Sequence, residues 1–253
     1  MVSQPLDVLP STDELPCSDD TPVDNEDQNL LPNLLLLALA NLWSQRMDWF
    51  FAVDMAVYHT TGISPKVPVV PDAFLSLDVE RKKGGKSRKS YAIWEEKGTV
   101  PIFVLEMVSH RYNDEYEEKL EIYAGLGVRY YVVYNPEYWR RHQHQPFELY
   151  KLEGNSSATK PSQRYQLQIG EPYWMEEVGL GIGRGRQIVG GIEQEVLLWY
   201  NAQGKPYPLP EQAMKEMQRQ LTAERQKAEI ERQRAERLAQ YLRSQGIDPN
   251  TIE

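Results

Sequence analysis

Glu106 stands in the run PIFVLEMVS among Phe103, Val104, Leu105, Met107 and Val108. A carboxylate inside so apolar a strand is costly to desolvate unless something pairs with it, and a metal ion is a common partner. The plainer alternative is a strand end that reaches solvent. A second acid, Asp72, follows Pro71 in VPVVPDAFLSL. Two carboxylates on neighbouring strands can hold one hard cation, Mg2+ or Mn2+, through oxygen ligands. Such a cation binds a scissile phosphate and lowers the pKa of an attacking water. Taken alone, Asp72 fits a turn equally well, since Pro-Asp is a common turn dipeptide. The third group is Lys119, within NDEYEEKLEIYAGLG. In a helix there, Tyr116, Leu120, Tyr123 and Ala124 make the apolar face, and Lys119 falls roughly 60° from its centre. From that border its ammonium can lean over a sheet toward Glu106. The ordinary alternative is a solvated lysine paired with Glu115 four residues earlier.

The elements that must position these groups are short and apolar. WFFAVDMAVYH (Trp49 to His59), VPVVPDAFLSL (Val67 to Leu77) and PIFVLEMVS (Pro101 to Ser109) read as strands, being rich in Val, Ile and Phe. Asn113 to Gly127 reads as a helix, with Asn113 or Asp114 as its cap and Gly125 and Gly127 at its end. VRYYVVY (Val128 to Tyr134) is the next strand. Strand, helix and strand in succession imply a right-handed crossover between parallel strands. Shorter strands are expected around Phe147 to Leu152, Arg164 to Ile169 and Glu195 to Tyr200, and GLGIGRGRQIVGG fits a strand-turn region better than any nucleotide-binding loop. The fold class is mixed α/β.

With 253 residues, 41% hydrophobic and 26% charged, the composition is that of a soluble globular chain. Net charge is −9, which excludes the broad positive surface of a non-specific DNA coater. Eight of the acids lie in residues 1–28, which contain no Lys or Arg, so the rest of the chain is nearly neutral. Three parts are expected: a disordered acidic tail over 1–28, an α/β domain over 29–205, and a long polar helix over 206–253. The domain should open with a helix from Leu34 to about Arg46, buried on most of its surface. In the terminal helix the register Met214, Met217, Leu221, Glu224, Ala228, Glu231, Ala235, Leu238, Leu242 is apolar at both ends and weak in the middle. A coiled-coil homodimer and a single exposed helix both remain open. The apolar run Leu30 to Trp43 is too short for a membrane span, and the single cysteine, Cys17, excludes an internal disulfide and a cysteine zinc site. A cytoplasmic location is expected.

PDAFLSL, then VLEMVSH, then NDEYEEKLEIYAGLGVRYYVVYNPE resembles the Uma-type family of endonuclease-like proteins, a branch of the PD-(D/E)xK nuclease superfamily. The likeness covers about residues 34 to 200. It implies a restriction-endonuclease-like α/β core, a divalent cation held by Asp72 and Glu106, and DNA as substrate. The superfamily's usual lysine stands two residues after the acid, where this chain has Val108, so Lys119 would take its place. The likeness assigns no role to Asp54, which could flank the cation, or to Asp114, which fits a helix cap better. ERKKGGKSRKSY, a flexible basic loop, would touch DNA phosphates through Lys82, Lys83, Lys86 and Lys89.

His142 and His144 in RRHQHQP form an H-x-H pair, but without further ligands they read as a polar loop rather than a metal site. Two functions therefore compete. One is a Mg2+-dependent DNA endonuclease. The other is a nuclease fold that no longer cuts and serves assembly through its terminal helix, favoured by Val108 and by an acidic tail that would repel DNA.

Overall fold

The computed structural model describes residues 9–17, 25–109, 114–154, 163–246 and 248. The chain divides into two compact units, Met1–Tyr207 and Pro208–Glu253. In chain order the first unit contains α1 (Glu26–Leu42), β1 (Trp49–Val53), β2 (Val57–Tyr58), β3 (Ala73–Leu77), β4 (Tyr91–Ala92), β5 (Phe103–Met107), α2 (Glu118–Leu126) and β6 (Tyr130–Tyr134). It continues with α3 (Trp139–His142), β7 (Phe147–Gly154), β8 (Gln163–Leu167), β9 (Tyr173–Met175), β10 (Leu180–Val189) and β11 (Ile192–Tyr200). The second unit is built on α4 (Pro210–Ser244).

A six-stranded mixed sheet in the order β1-β3-β5-β6-β7-β8 is the frame, with a three-stranded antiparallel sheet β11-β10-β9 and a two-stranded parallel pair β2-β4 beside it. In the large sheet only β5 and β6 run parallel, joined through α2 as the strand-helix-strand pattern implies. Both strands are buried at every position, as expected of strands covered on two faces. On one face Phe74, Val104, Tyr131 and Val133 pack with Tyr123 and Leu126 of α2. On the other, the Trp199 ring meets Phe51 and Phe103 edge-on, and its indole N–H donates to the Leu35 carbonyl of α1 at 2.9 Å. Strand alternation places Val104, Glu106 and Val108 on the α2 face.

Several boundaries differ from the sequence reading. α1 begins at Glu26 rather than Leu34: Asn25 accepts the Gln28 N–H at 3.0 Å, Glu26 and Asp27 complement the helix dipole, and Pro32 is absorbed within the helix. It buries one face, Leu31, Leu35, Ala38 and Leu39, and leaves Leu37 exposed. The first expected strand breaks in two at Asp54, whose φ of 49° an extended ladder cannot contain. The second shrinks to β3 because Pro68 and Pro71 have no N–H to give a ladder. α2 starts at Glu118, since Asp114 has a φ of 54° and a turn precedes the helix; Asn113 lies outside the described residues. Gly127, at φ 88°, closes α2 with its N–H on Tyr123 and Ala124.

Within the stretch read as a disordered tail, residues 9–17 are placed against the domain. Thr12 gives its N–H and hydroxyl to the two oxygens of Glu95, at 2.9 and 3.1 Å. Trp94 donates to the Pro10 carbonyl at 3.0 Å and Tyr58 to the Pro16 carbonyl at 2.8 Å. Leu15 is buried with Ala56, Tyr58 and Ala92. Average composition hides this strap, because its anchors are mostly backbone groups and one leucine. In the second unit, α4 runs for 35 residues with none of them buried. Among the described residues no helix is long and apolar enough to cross a membrane.

Candidate active site

The antiparallel register of β3 and β5 pairs Ala73 with Leu105 and Phe74 with Val104. Continued by one residue, it sets Asp72 directly opposite Glu106. Residues opposite each other project from the same face, with Cβ atoms about 4.5–5.5 Å apart. The β1–β3 register pairs Val53 with Ala73, so Asp54 stands opposite Asp72 in turn, and its N–H donates to the Asp72 carbonyl at 3.1 Å. Three acids thus form one row across three adjacent strands, at the end of the sheet where β5 and β6 finish. Open α/β sheets bind ligands at the carboxyl ends of their parallel strands.

Glu106 is 2% exposed and both its oxygens are engaged. Oε2 accepts from Lys119 Nζ at 2.8 Å and Oε1 from the Tyr123 hydroxyl at 2.5 Å. Both donors come from α2, four residues apart and therefore on one helix face. The Lys119 side chain retains only 15% of its exposure, so it is not the solvated lysine of the plain alternative. Burial by itself would lower its ammonium, but the charge and hydrogen bond of Glu106, helped by Glu115 and Asp72, hold it above its ordinary pKa. Tyr123 is driven well above the usual phenol range by burial and by Glu106, and so stays a donor.

Asp72 Oδ2 accepts the Met107 N–H at 2.6 Å. Desolvation first and the charge of Glu106 second still push its carboxyl well above the carboxylate range, against the pull of that N–H and of Lys119. Asp54 adds to the rise. Two acids that cannot comfortably ionise together are relieved by a cation between them.

The donor set fits a hard divalent ion of the kind bound by one or two carboxylates and completed by substrate and water. Among the described residues no group of three or more His, Cys, Asp or Glu is arranged as a metal cage. Val108, where the lysine after the acid would stand, faces the same side as Glu106 but is buried in the apolar cluster under α2.

Asp114 does not join the row. It is exposed, and it is its backbone carbonyl that accepts from Glu117 and Lys119, at 3.2 and 3.1 Å. The basic loop leaves the far end of β3 from Asp72, about 17 Å away by the rise of a five-residue strand. Lys83 is paired with Glu95 at 2.7 Å and Lys89 with Asp13 at 2.8 Å. Lys82 donates to Ser87 at 2.8 Å, and Lys82 and Lys86 are exposed. The sequence reading also passed over the Tyr123 hydroxyl, whose signal was its spacing of four from Lys119.

The chain is of the mixed α/β class, with one parallel crossover in its main sheet. The family model Uma2, described as "Putative restriction endonuclease", matches residues 20–181, more than half of the chain, and the chain belongs to that family. Neither a curated protein nor a solved structure matches it.

Proposed function

We propose that the chain is a divalent-cation-dependent DNA endonuclease. The observation that carries this reading is the acid pair Asp72 and Glu106, opposed in register, with the Lys119 ammonium on Glu106. Asp72 and Glu106 would hold Mg2+ or Mn2+. When bound, the cation supplies charge for the scissile phosphate and acidity to a water. Glu106 is kept in place by Tyr123, while Lys119 offers a positive charge that can turn from the carboxylate toward the phosphate or the attacking water. Lys82 and Lys86 are the loop lysines available for distant phosphate contacts, and because Lys83 and Lys89 already have acidic partners their share should be smaller. Neutralising Lys82 and Lys86 together should weaken duplex binding and flatten its salt dependence.

The non-cutting reading, already favoured by Val108, gains from the structure that both Glu106 oxygens have protein donors. Plasmid cleavage with Mg2+ or Mn2+ decides between them. Asp72→Asn and Glu106→Gln should abolish cleavage, and Lys119→Met should lower it by roughly 10² or more. A wild-type chain that leaves several DNA substrates intact with either metal would establish the non-cutting module.

A further inference from the structure

The row of acids does not stop at Glu106. Glu106 pairs with Val133 of β6, and Val133 with Glu148 of β7. Glu148 therefore shares the face and the sheet end of Asp72 and Glu106, two strands or about 10 Å along. It is 4% exposed and accepts the Gln145 N–H at 2.8 Å and the Tyr150 hydroxyl. His144 Nδ1 lies 3.2 Å from both of its oxygens. A carboxylate only accepts, so Nδ1 carries a proton; when Nε2 carries one as well the ring is a cation, and its second N–H can donate to an anion.

A second device holds the same ring. His144 stacks on Tyr116 with centroids 3.6 Å apart and planes 3° from parallel, and Asn135 donates to the Tyr116 hydroxyl at 3.2 Å. Tyr116 precedes Lys119 by three residues, so the stacked imidazole and the ammonium are both set beside the same stretch of chain. The His144 side chain is 29% exposed. Glu148 has two other donors, so the imidazole is one of three groups on its carboxylate.

We infer that His144 is a second substrate-contacting residue, an imidazole held by Glu148 and Tyr116 to bind a phosphate of the same nucleic-acid strand a few positions from the one at Asp72 and Glu106. A DNA strand presents one charge per about 3.4 Å of helix axis, so a group about 10 Å along the row meets a phosphate about three positions on. Glu148 acts through His144 and is a positioning residue. The inference rests on the nuclease reading and extends its site along the backbone.

The test is fluorescence anisotropy of a short fluorescein-labelled duplex, titrated across salt concentrations in EDTA so that no chemistry intervenes, with thermal unfolding of each variant alongside. His144→Ala should weaken binding about tenfold at low salt and reduce the slope of log K against log salt by about one, with little change in unfolding. His144→Gln keeps a donor for Glu148 but not the charge, and should lose the same slope even if the alanine variant folds poorly. Glu148→Gln should weaken binding only where His144 is present. If the wild type binds and both His144 variants keep its affinity and slope, the imidazole is structural and the inference falls alone. If the wild type binds no duplex at low salt, the inference falls together with the nuclease reading.

Discussion

Replacing Lys119 by methionine tests what its contact with Glu106 contributes to stability, apart from the catalytic role proposed for it. The ammonium lies 2.8 Å from Glu106 Oε2, with side chains 15% and 2% exposed. Removing it leaves a buried carboxylate whose one remaining donor among the described residues is Tyr123. Breaking a buried pair from one side costs about 3–5 kcal/mol, and the surviving tyrosine bond and partial exposure of the lysine favour the lower end. For a unit of this size, about 3 kcal/mol corresponds to roughly 6–12 °C in melting temperature. Urea denaturation in EDTA should register the loss for Lys119→Met and show it largely recovered in Glu106→Gln/Lys119→Met, where no charge is stranded. Mn2+ should raise the melting temperature of the single variant more than that of the wild type, since the ion replaces the missing positive charge. A loss below about 1 kcal/mol, or no coupling in the double variant, would refute the claim that Lys119 is the electrostatic partner of Glu106.

Three further outcomes follow from the same structure. The Asp72 carboxyl is held above its ordinary value, so the fold is favoured while it is protonated and loses that stability as pH rises through the folded-state pKa. In EDTA at neutral pH, Asp72→Asn should therefore unfold at a higher temperature than the wild type, with the gap closing below about pH 4, and a lower melting temperature would contradict the burial argument. Tyr123→Phe keeps the ring but strands Glu106 Oε1, which should cost about 1–3 kcal/mol by urea denaturation. Deleting residues 1–17 should lower the melting temperature of the first unit, because Leu15 and the two bonds from Thr12 to Glu95 are lost; an unchanged transition would show the strap to be unattached in solution.

What the sequence made legible was local. The apolar runs of β5 and β6 and the glycine that closes α2 announce a crossover, and helix geometry alone puts Lys119 within reach of Glu106. The pairing of β3 with β5 was not legible, because register between strands separated by a long loop is fixed by packing rather than by neighbours in sequence. Without it, Asp72 and Asp54 were two acids with no common row. The partner of Lys83 in the basic loop was hidden for a related reason: Glu95 lies beyond the loop and enters only when the 3-10 turn at Ile93–Glu96 folds back. His144 and Glu148 are a loop residue and a strand residue until β7 aligns with β6.

Cys17 closes the strap one residue after the carbonyl that accepts from Tyr58, and it is exposed. It is also the only cysteine in the chain. A thiol-reactive dye would therefore attach at one site without any mutagenesis, next to the carbonyl that the Tyr58 hydroxyl holds. Its emission and rotational freedom would report whether the strap is docked, in real time and in the unaltered protein, while metal or duplex is added.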